Sequence, residues 1–338
     1  MSGRRGPGRL ARVGIVGAGI AGIACARALV EHGFQVRIFE REACPGGRIA
    51  TRRVDTICFD HGVQYFSILE ARFEAVVRQW EAAGIVAPWT GRTVCLDGNR
   101  PGEEVQPCER FVGVPTMEAV AIHLSRGLDI RLSTSVRTVR RAGGRWQLQD
   151  DSGAEIDASG FDTLVLATPS DVALKLLDGH SDLARRIASV RWDPCWAVML
   201  GLARPSGIDF DAAFVSDDPI LGWIARESSK PMRVTRRGSV ESWILHARPD
   251  WSRAYLEIPE AEASRWLQRA FAARLGRPLA QCAVAAHRWR CALPVNPLRD
   301  THLFDHELAI GLAGDWCGGP RVEGAYLSGL SLARTIAS

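Results

Sequence analysis

The sequence predicts an α/β protein of two domains, one assembled from the two ends of the chain and the other inserted between them. Three observations point there. A strand, glycine turn, helix, strand unit occupies residues 12–40; a second strand-then-helix pattern closes the chain from residue 308; and the long stretch between them favours strands. With 338 residues, 46% of them hydrophobic and 24% charged, the chain holds about two domains' worth of core. That balance excludes intrinsic disorder and a collagen-like chain.

In chain order, Val13, Ile15 and Val16 lead as a strand into Gly17-Ala18-Gly19-Ile20-Ala21-Gly22. Ala24 to Leu29 reads as helix, Gly33 stops it, and Val36, Ile38 and Phe39 form the next strand. Phe73, Val76, Val77 and Trp80 recur at helical spacing, as a core stripe does. Ile130-Arg131-Leu132 and Trp146-Gln147-Leu148 read as short strands, separated by turns at Gly143-Gly144 and Ser152-Gly153. A strand over Asp162–Ala167 runs into Thr168-Pro169. Trp196 to Leu202 and Ser242 to His246 are the strongest strands of the middle, and Glu260 to Leu275 is an amphipathic helix carrying Trp266, Leu267, Ala270 and Phe271. Leu308–Ala313 reads as a strand before Gly314-Asp315, with a helix from Val322 to Ile336. The expected division is a discontinuous nucleotide domain of residues 1–66, 125–170 and 295–338, and an α+β domain with a mixed sheet of residues 67–124 and 171–294.

Charge and cysteine narrow the function. Lys+Arg 42 against Asp+Glu 38 gives +4, too little for a dedicated nucleic-acid binder. Lys175 and Lys230 are the only lysines, so any mechanism that needs a lysine has two candidates; Lys230 reads as a solvated loop lysine. Nine cysteines lie without C-x-x-C or metal-like spacing, so no metal site is expected and a reducing cytoplasm is the expected location. Met1 to Arg12 is basic, Gly-rich and expected to fray. Arg4-Arg5 ahead of the apolar run at 13–30 imitates an export signal, but glycines at 14, 17, 19 and 22 suit a nucleotide turn better. No run of eighteen apolar residues occurs, so no membrane span is expected.

The turn carries the first chemistry. Gly17, Gly19 and Gly22 fit G-x-G-x-x-G between a strand and a helix, and Glu40 closes the following strand eighteen residues after Gly22. The first glycine permits the tight turn, the second lets backbone approach a pyrophosphate, and the third packs helix on strand. Helix-start amides then face the phosphates. Glu40 would accept from ribose hydroxyls, favouring an unphosphorylated ribose such as that of FAD or NAD. Arg41 through Gly46-Gly47-Arg48 adds a second glycine pair and a guanidinium able to meet the pyrophosphate.

Here a resemblance becomes specific. The succession GAGIAG, FERE, PGGR and FDHGVQYF (59–66), with Ala167-Thr168-Pro169, Gly314-Asp315 and Val322-Glu323-Gly324-Ala325, resembles the FAD-containing amine oxidase superfamily over nearly the whole chain. Within it, GVQYF, ARESSKP (225–231), WILHARPDWS (243–252), HRWRCALP (287–294) and AGDWCGGPRVEGAYLSG (313–329) are similar to the renalases and their bacterial relatives. Glu227 and Cys291 depart from the pattern of that group.

The resemblance implies a glutathione reductase or amine oxidase type of FAD domain with non-covalent FAD. It implies that Gly17, Gly19, Ala21 and Gly22 line the pyrophosphate turn, Glu40 and Arg41 lie by the ribose, and Gly47 and Arg48 meet the diphosphate. Gln64 and Tyr65 would lie beside the flavin, and Val136, in a TSVRTV strand, against adenine. Thr168, Gly314, Asp315 and the Val322–Ala325 helix start would complete the cofactor set. Asp315 is expected on the ribityl chain or as a helix cap. Cys317, directly after Gly-Asp, is not where covalent members attach FAD.

On the substrate side the candidates are His246, Trp289 and Tyr65. Strand alternation puts His246 with Ile244, opposite Trp243 and Leu245. Trp289, between Arg288 and Arg290, reads either as a stacking plane with guanidinium groups nearby or as a buried tryptophan flanked by surface arginines. For renalases the implied reaction is oxidation of 2- and 6-dihydro-NAD(P) to NAD(P)+, with O2 reduced to H2O2. The alternatives are an amine oxidase or desaturase, disfavoured by the shortage of lysine and by only three tyrosines, and an FAD-binding protein without catalysis.

Overall fold

A computed structural model describes residues 10–98, 103–105, 108–177, 182–233 and 241–338. Most of the segment expected to fray, residues 1–9, lies outside the described residues, while Arg12 opens the first strand. The chain divides into two compact units, Met1–Gly47 with Leu124–Val190 and Asn296–Ser338, and Arg48–His123 with Arg191–Val295.

The first unit is built on a six-stranded sheet. Its order is Leu303–Asp305, Ile310–Leu312, Thr163–Leu166, Arg12–Val16, Gln35–Phe39 and Asp129–Arg131. All neighbours run parallel except the first pair. Arg12–Val16 is buried throughout, as a central parallel strand covered on both faces must be. The helix Ile20–Glu31 is apolar on nearly every side because it packs on the strand Gln35–Phe39 and against the C-terminal helix Val322–Ala337. A Cβ at Gly329 would sit 2.1 Å from the Ala21 carbonyl oxygen, so glycine is what lets these two helices approach. The buried Arg12 guanidinium donates to Asp157 at 2.9 Å and to the Gly160 carbonyl at 2.6 Å, and Arg37 meets the same carboxylate at 2.8 Å. These bonds pin the 157–160 turn to the sheet.

The second unit is built on a seven-stranded mixed sheet, ordered Gln281–Pro294, Trp192–Leu202, Glu241–Ala247, Leu221–Arg226, Ala212–Val215, Thr93–Leu96 and Glu103–Glu104. Its neighbours are antiparallel save Ala212–Val215 with Thr93–Leu96. Alternation sorts the core. Trp196, Val198, Leu200, Trp243 and Leu245 face the helix Glu260–Leu275 and its Ala263, Leu267 and Phe271. Met199, Ile244 and Ala283, on the opposite face, receive Ile57 and Phe59 from the hairpin Arg52–Val54 and Ile57–Phe59.

Two boundaries are corrected by this packing. Residues 48–66, expected in the nucleotide domain, belong to the second unit because that hairpin is the apolar cover of its sheet. Residues 171–190, expected in the substrate domain, belong to the first, where the helices Ser170–Leu177 and Leu183–Ile187 pack on the strands Thr138–Ala142 and Leu303–Asp305. Among the described residues, no helix is long and apolar enough to cross a membrane, and no group of three or more His, Cys, Asp or Glu is arranged to hold a metal.

Candidate cofactor and substrate sites

In the first unit the glycine turn has the geometry its sequence requires. Gly17 has φ +101°, a value that suits glycine, and a Cβ there would lie 2.7 Å from the Ala167 carbonyl. A Cβ at Gly22 would strike the Gly17 carbonyl at 2.1 Å, and one at Gly19 would meet nothing within 4 Å. Gly19 caps the helix Ile20–Glu31 with no side-chain bond, so the first-turn amides, Ala21 and Gly22 among them, point toward open space. The second glycine pair closes on this turn. The Gly46 amide donates to the Ala18 carbonyl at 2.8 Å, and a Cβ at Gly47 would lie 3.6 Å from the Gly19 Cα.

Glu40 is buried and accepts from the Ala18 amide at 2.7 Å and the Glu42 amide at 3.0 Å, so its carboxylate also holds the turn itself. Thr134 donates its amide to the Glu40 carbonyl at 2.8 Å and Ser133 to the Glu42 carbonyl at 2.9 Å. Val136 follows in a segment that precedes the strand Thr138–Ala142 instead of lying inside it. Arg41 is exposed and paired with Glu42 at 3.1 Å. The open, glycine-walled cradle with bare helix amides and a buried carboxylate eighteen residues on fits an adenine dinucleotide.

The C-terminal motif packs beside it. Trp316 donates its indole N–H to the Thr168 carbonyl at 3.0 Å, and the Gly314 amide donates to Ser328 Oγ at 2.9 Å. Asp315 is buried, its carbonyl accepting the Gly319 amide at 3.2 Å. The cap of Val322–Ala337 is Arg321, so Asp315 is not the cap residue. Val322 and Glu323 are buried while Gly324 and Ala325 are partly open, and a Cβ at Gly324 would lie 2.2 Å from the Gly319 carbonyl. Cys317 is buried, and burial drives its thiol upward, away from thiolate.

In the second unit, strand register builds the candidate substrate residues. Ala197 pairs with His246 on one side and His287 on the other, and His246 pairs in turn with Trp223. These residues form one row across one sheet face. The small Ala197 separates the two histidines. His61 is buried, its ring 4.8 Å edge-on from His287 and stacked at 4.9 Å and 28° on Trp289. The His61 carbonyl accepts from His246 Nε2 at 3.1 Å and from Trp289 Nε1 at 3.0 Å. Because a carbonyl only accepts, His246 carries its proton on Nε2 and keeps the lone pair on Nδ1. Burial, with the charges of neighbouring groups, lowers His61 to about 3, and burial lowers His246 to about 4. Both rings are neutral at neutral pH.

Arg288 and Arg290 take the other strand face from Trp289 and pair with Glu257 at 2.9 Å and 2.6 Å. The reading that puts their guanidinium groups near a Trp289 stacking plane is therefore corrected. Tyr65 lies 5.8 Å from Trp223 and 6.4 Å from Trp89 between ring centres, with the Arg110 guanidinium 5.3 Å from its own ring. Arg48 donates to the Ala292 carbonyl at 3.1 Å and lies over the Trp192 ring at 5.1 Å.

The structure also corrects Lys230, which is not a solvated loop lysine. Its side chain is fully buried. It donates to Glu227 at 2.7 Å, to Gln64 Oε1 at 3.3 Å and to Asp60 at 3.4 Å. Arg233 bridges the same acids, on Glu227 at 2.8 Å and on Asp60. Asp60 further accepts from Thr51 at 2.7 Å and the Met117 amide at 3.0 Å. Sequence reading missed Asp60, His61, His287 and Arg233. The first three lie inside motifs that had been singled out for other residues.

The first unit defines a dinucleotide-binding protein of Rossmann type. Its family profile, the NAD(P)-binding Rossmann-like domain, matches residues 15–80. Flavin containing amine oxidoreductase matches residues 103–337, and the chain belongs to that family. The protein is an oxidoreductase of the flavin-containing amine oxidoreductase family, with FAD as its cofactor. A zeta-carotene-forming phytoene desaturase of Myxococcus xanthus is 40% identical over 73 residues, 21% of this chain and only 14% of that protein.

Two solved structures share the fold over nearly full length. A putative protoporphyrinogen oxidase from Exiguobacterium sp. 255-15 has TM-score 0.75 at 15% identity, covering 97% of this chain and 99% of that one. Putrescine oxidase bound to putrescine has TM-score 0.67 at 14% identity, covering 98% and 99%.

Proposed function

We propose that this chain is an FAD-dependent oxidase of the 2- and 6-dihydro isomers of NAD(P), a renalase-like activity. In each turnover one dihydropyridine C–H bond breaks with its electron pair and the ring becomes the aromatic pyridinium of NAD(P)+. One O2 takes up that pair, the hydride's proton and one solvent proton, giving H2O2. Non-covalently bound FAD supplies the two-electron acceptor that links substrate oxidation to O2 reduction. No base is needed, because hydride departure alone makes the cation.

The observation that carries this reading is the aromatic platform of His61, His246, His287 and Trp289, with the His61 and His246 rings neutral, in a chain of which one lysine is buried against acids and the other exposed. Three acceptors meet the three Lys230 donors, and Lys175 is exposed on the helix Ser170–Leu177. Neither suits the lysine-held water of many amine oxidases. Neutral rings add no positive charge to oppose a forming pyridinium, and planar side chains suit a flat substrate.

Amine oxidation is the second reading, favoured by the aromatic group of Tyr65, Trp89 and Trp223. The Arg110 cation over Tyr65 opposes an ammonium there.

Anaerobic mixing of the FAD-loaded protein with 2- and 6-dihydro-NAD(P), and separately with amines, tests both. Rapid bleaching of the flavin by the dihydronicotinamides is the expected result; bleaching by amines alone would replace the first reading with the second. No bleaching by either would leave a cofactor-binding protein. His246→Ala is expected to slow reduction about tenfold or more while the visible flavin spectrum persists. An unchanged rate would remove His246 from the site.

The rate of reduction is expected to be flat from pH 6 to 9, because His246 and His61 ionise only near about 4 and about 3. A step near pH 6.5 in the wild-type protein that disappears in His246→Ala would contradict this assignment.

A further inference from the structure

We infer that the buried Asp60–Lys230–Glu227–Arg233 cluster, acting through Gln64, is a positioning element that presents the His61 carbonyl to His246 and Trp289 and so fixes the tautomer of His246. The geometry clamps His61 from both sides. Gln64 Nε2 donates to the Asp60 carbonyl and, at 3.1 Å, to the Gly62 carbonyl, the peptide oxygens before and after that of His61. Gln64 Oε1 accepts from Lys230 at 3.3 Å, which fixes the amide orientation. Lys230 is anchored by Glu227 at 2.7 Å, and the Asp60 side chain is held by Thr51, the Met117 amide, Lys230 and Arg233. With its neighbours held, the His61 carbonyl has one direction, and that direction receives two N–H donors, one from each of two strands.

The chemical consequence lies at His246. A carbonyl at Nε2 makes the Nε2–H form the bonded tautomer and leaves Nδ1 as an acceptor. Losing the clamp lets the ring take the other tautomer. Asp60, Gln64 and Lys230 are thus positioning residues, and a cluster costly to bury has a use beyond holding two loops together.

The inference takes His246 as a site residue from the proposed function, but its test needs no substrate. The full-length FAD-loaded protein is labelled with 15N at histidine, and the His246 signals are assigned by their loss in His246→Ala. The wild-type ring is expected wholly as Nε2–H. Gln64→Leu, which strands no charge, and Asp60→Asn, which keeps the shape, are each expected to give mixed tautomers while circular dichroism stays native. A purely structural role would lower the melting temperature and leave the tautomer alone.

Lys230→Arg, which keeps the cation, is expected to keep the single form. With whichever substrate reduces the flavin, Gln64→Leu is expected to lose about tenfold to a hundredfold in rate. A wild-type His246 protonated on Nδ1 overturns the inference whether or not the variants fold, and so does a folded Gln64→Leu protein that retains pure Nε2–H. Failure of dihydronicotinamides to bleach the flavin would overturn the proposed substrate and leave the tautomer result standing.

Discussion

Gly22→Ala is expected to yield protein with little or no bound flavin. The added Cβ would fall 2.1 Å from the Gly17 carbonyl oxygen and 3.1 Å from the Ala167 Cβ. Both neighbours are fixed, one by the turn and the other at the end of a central strand. Gly17 cannot yield, since its φ of +101° and its own closeness to the Ala167 carbonyl hold it. The helix Ile20–Glu31 must therefore move off the strand, displacing the amides that face the cradle. Overpacking of this kind costs about 1–3 kcal/mol, which if drawn wholly from cofactor binding weakens it by roughly five- to 150-fold. The ratio of flavin to protein absorbance after gel filtration, and a titration of the apoprotein with FAD, measure it. Full flavin occupancy at wild-type affinity would show that the close approach is not needed for binding.

That prediction rests on a motif legible in sequence because its physics is local. Gly17, Gly22 and Glu40 act within a span of two dozen residues, so spacing alone specifies turn, helix and carboxylate. The amphipathic helix Glu260–Leu275 has the boundaries its periodicity gives, and the strand Glu241–Ala247 contains the expected Ser242 to His246 and places His246 beside Ile244 on one face. Alternation could also have separated Trp289 from Arg288 and Arg290, since adjacent strand residues point apart.

What was not legible depends on partners far away in the chain. Lys230 looks solvated in isolation, among serines and a proline, and only the fold brings it to Asp60 and Gln64, some 170 and 166 residues earlier. Glu227, a departure from the pattern of the resembled group, makes physical sense once Lys230 and Arg233 are both buried against it. The boundary after Gly47 was hidden for the same reason. Ile57 and Phe59 look like any short strand until Met199, Ile244 and Ala283 supply the face they cover. His61 was passed over because its backbone carbonyl, not its side chain, joins His246 to Trp289, and no side-chain pattern encodes that.

Lys230→Met is expected to be among the most destabilising single changes in this protein. It would leave Asp60 and Glu227, both buried, sharing the one cation Arg233. Breaking a buried pair costs about 3–5 kcal/mol because a charge is stranded without water, which lowers the melting temperature by roughly 10 °C. Lys230→Met combined with Glu227→Gln removes one charge of each sign and is expected to recover most of that loss.

Acid unfolding reads the same cluster. Burial alone would raise the Asp60 carboxyl, but Lys230 and Arg233, with the Met117 amide and the Thr51 hydroxyl, outweigh it and hold the group at about 2. Its contribution, about 2 kcal/mol by the shift from the unfolded value, is present above about pH 4 and lost as pH falls through about 2. Glu227 runs the other way, pushed up by burial and by Asp60, so its share favours the protonated form and diminishes as pH rises through the carboxylate range. In Lys230→Met Asp60 loses one of the two cations that hold it ionised, and its stability contribution is expected to vanish at a higher pH than in the wild type. Urea unfolding of both proteins between pH 3 and 7 measures the difference. A Lys230→Met midpoint within the error of the wild type at pH 7 would mean that water reaches the cluster and that its charges are not buried together.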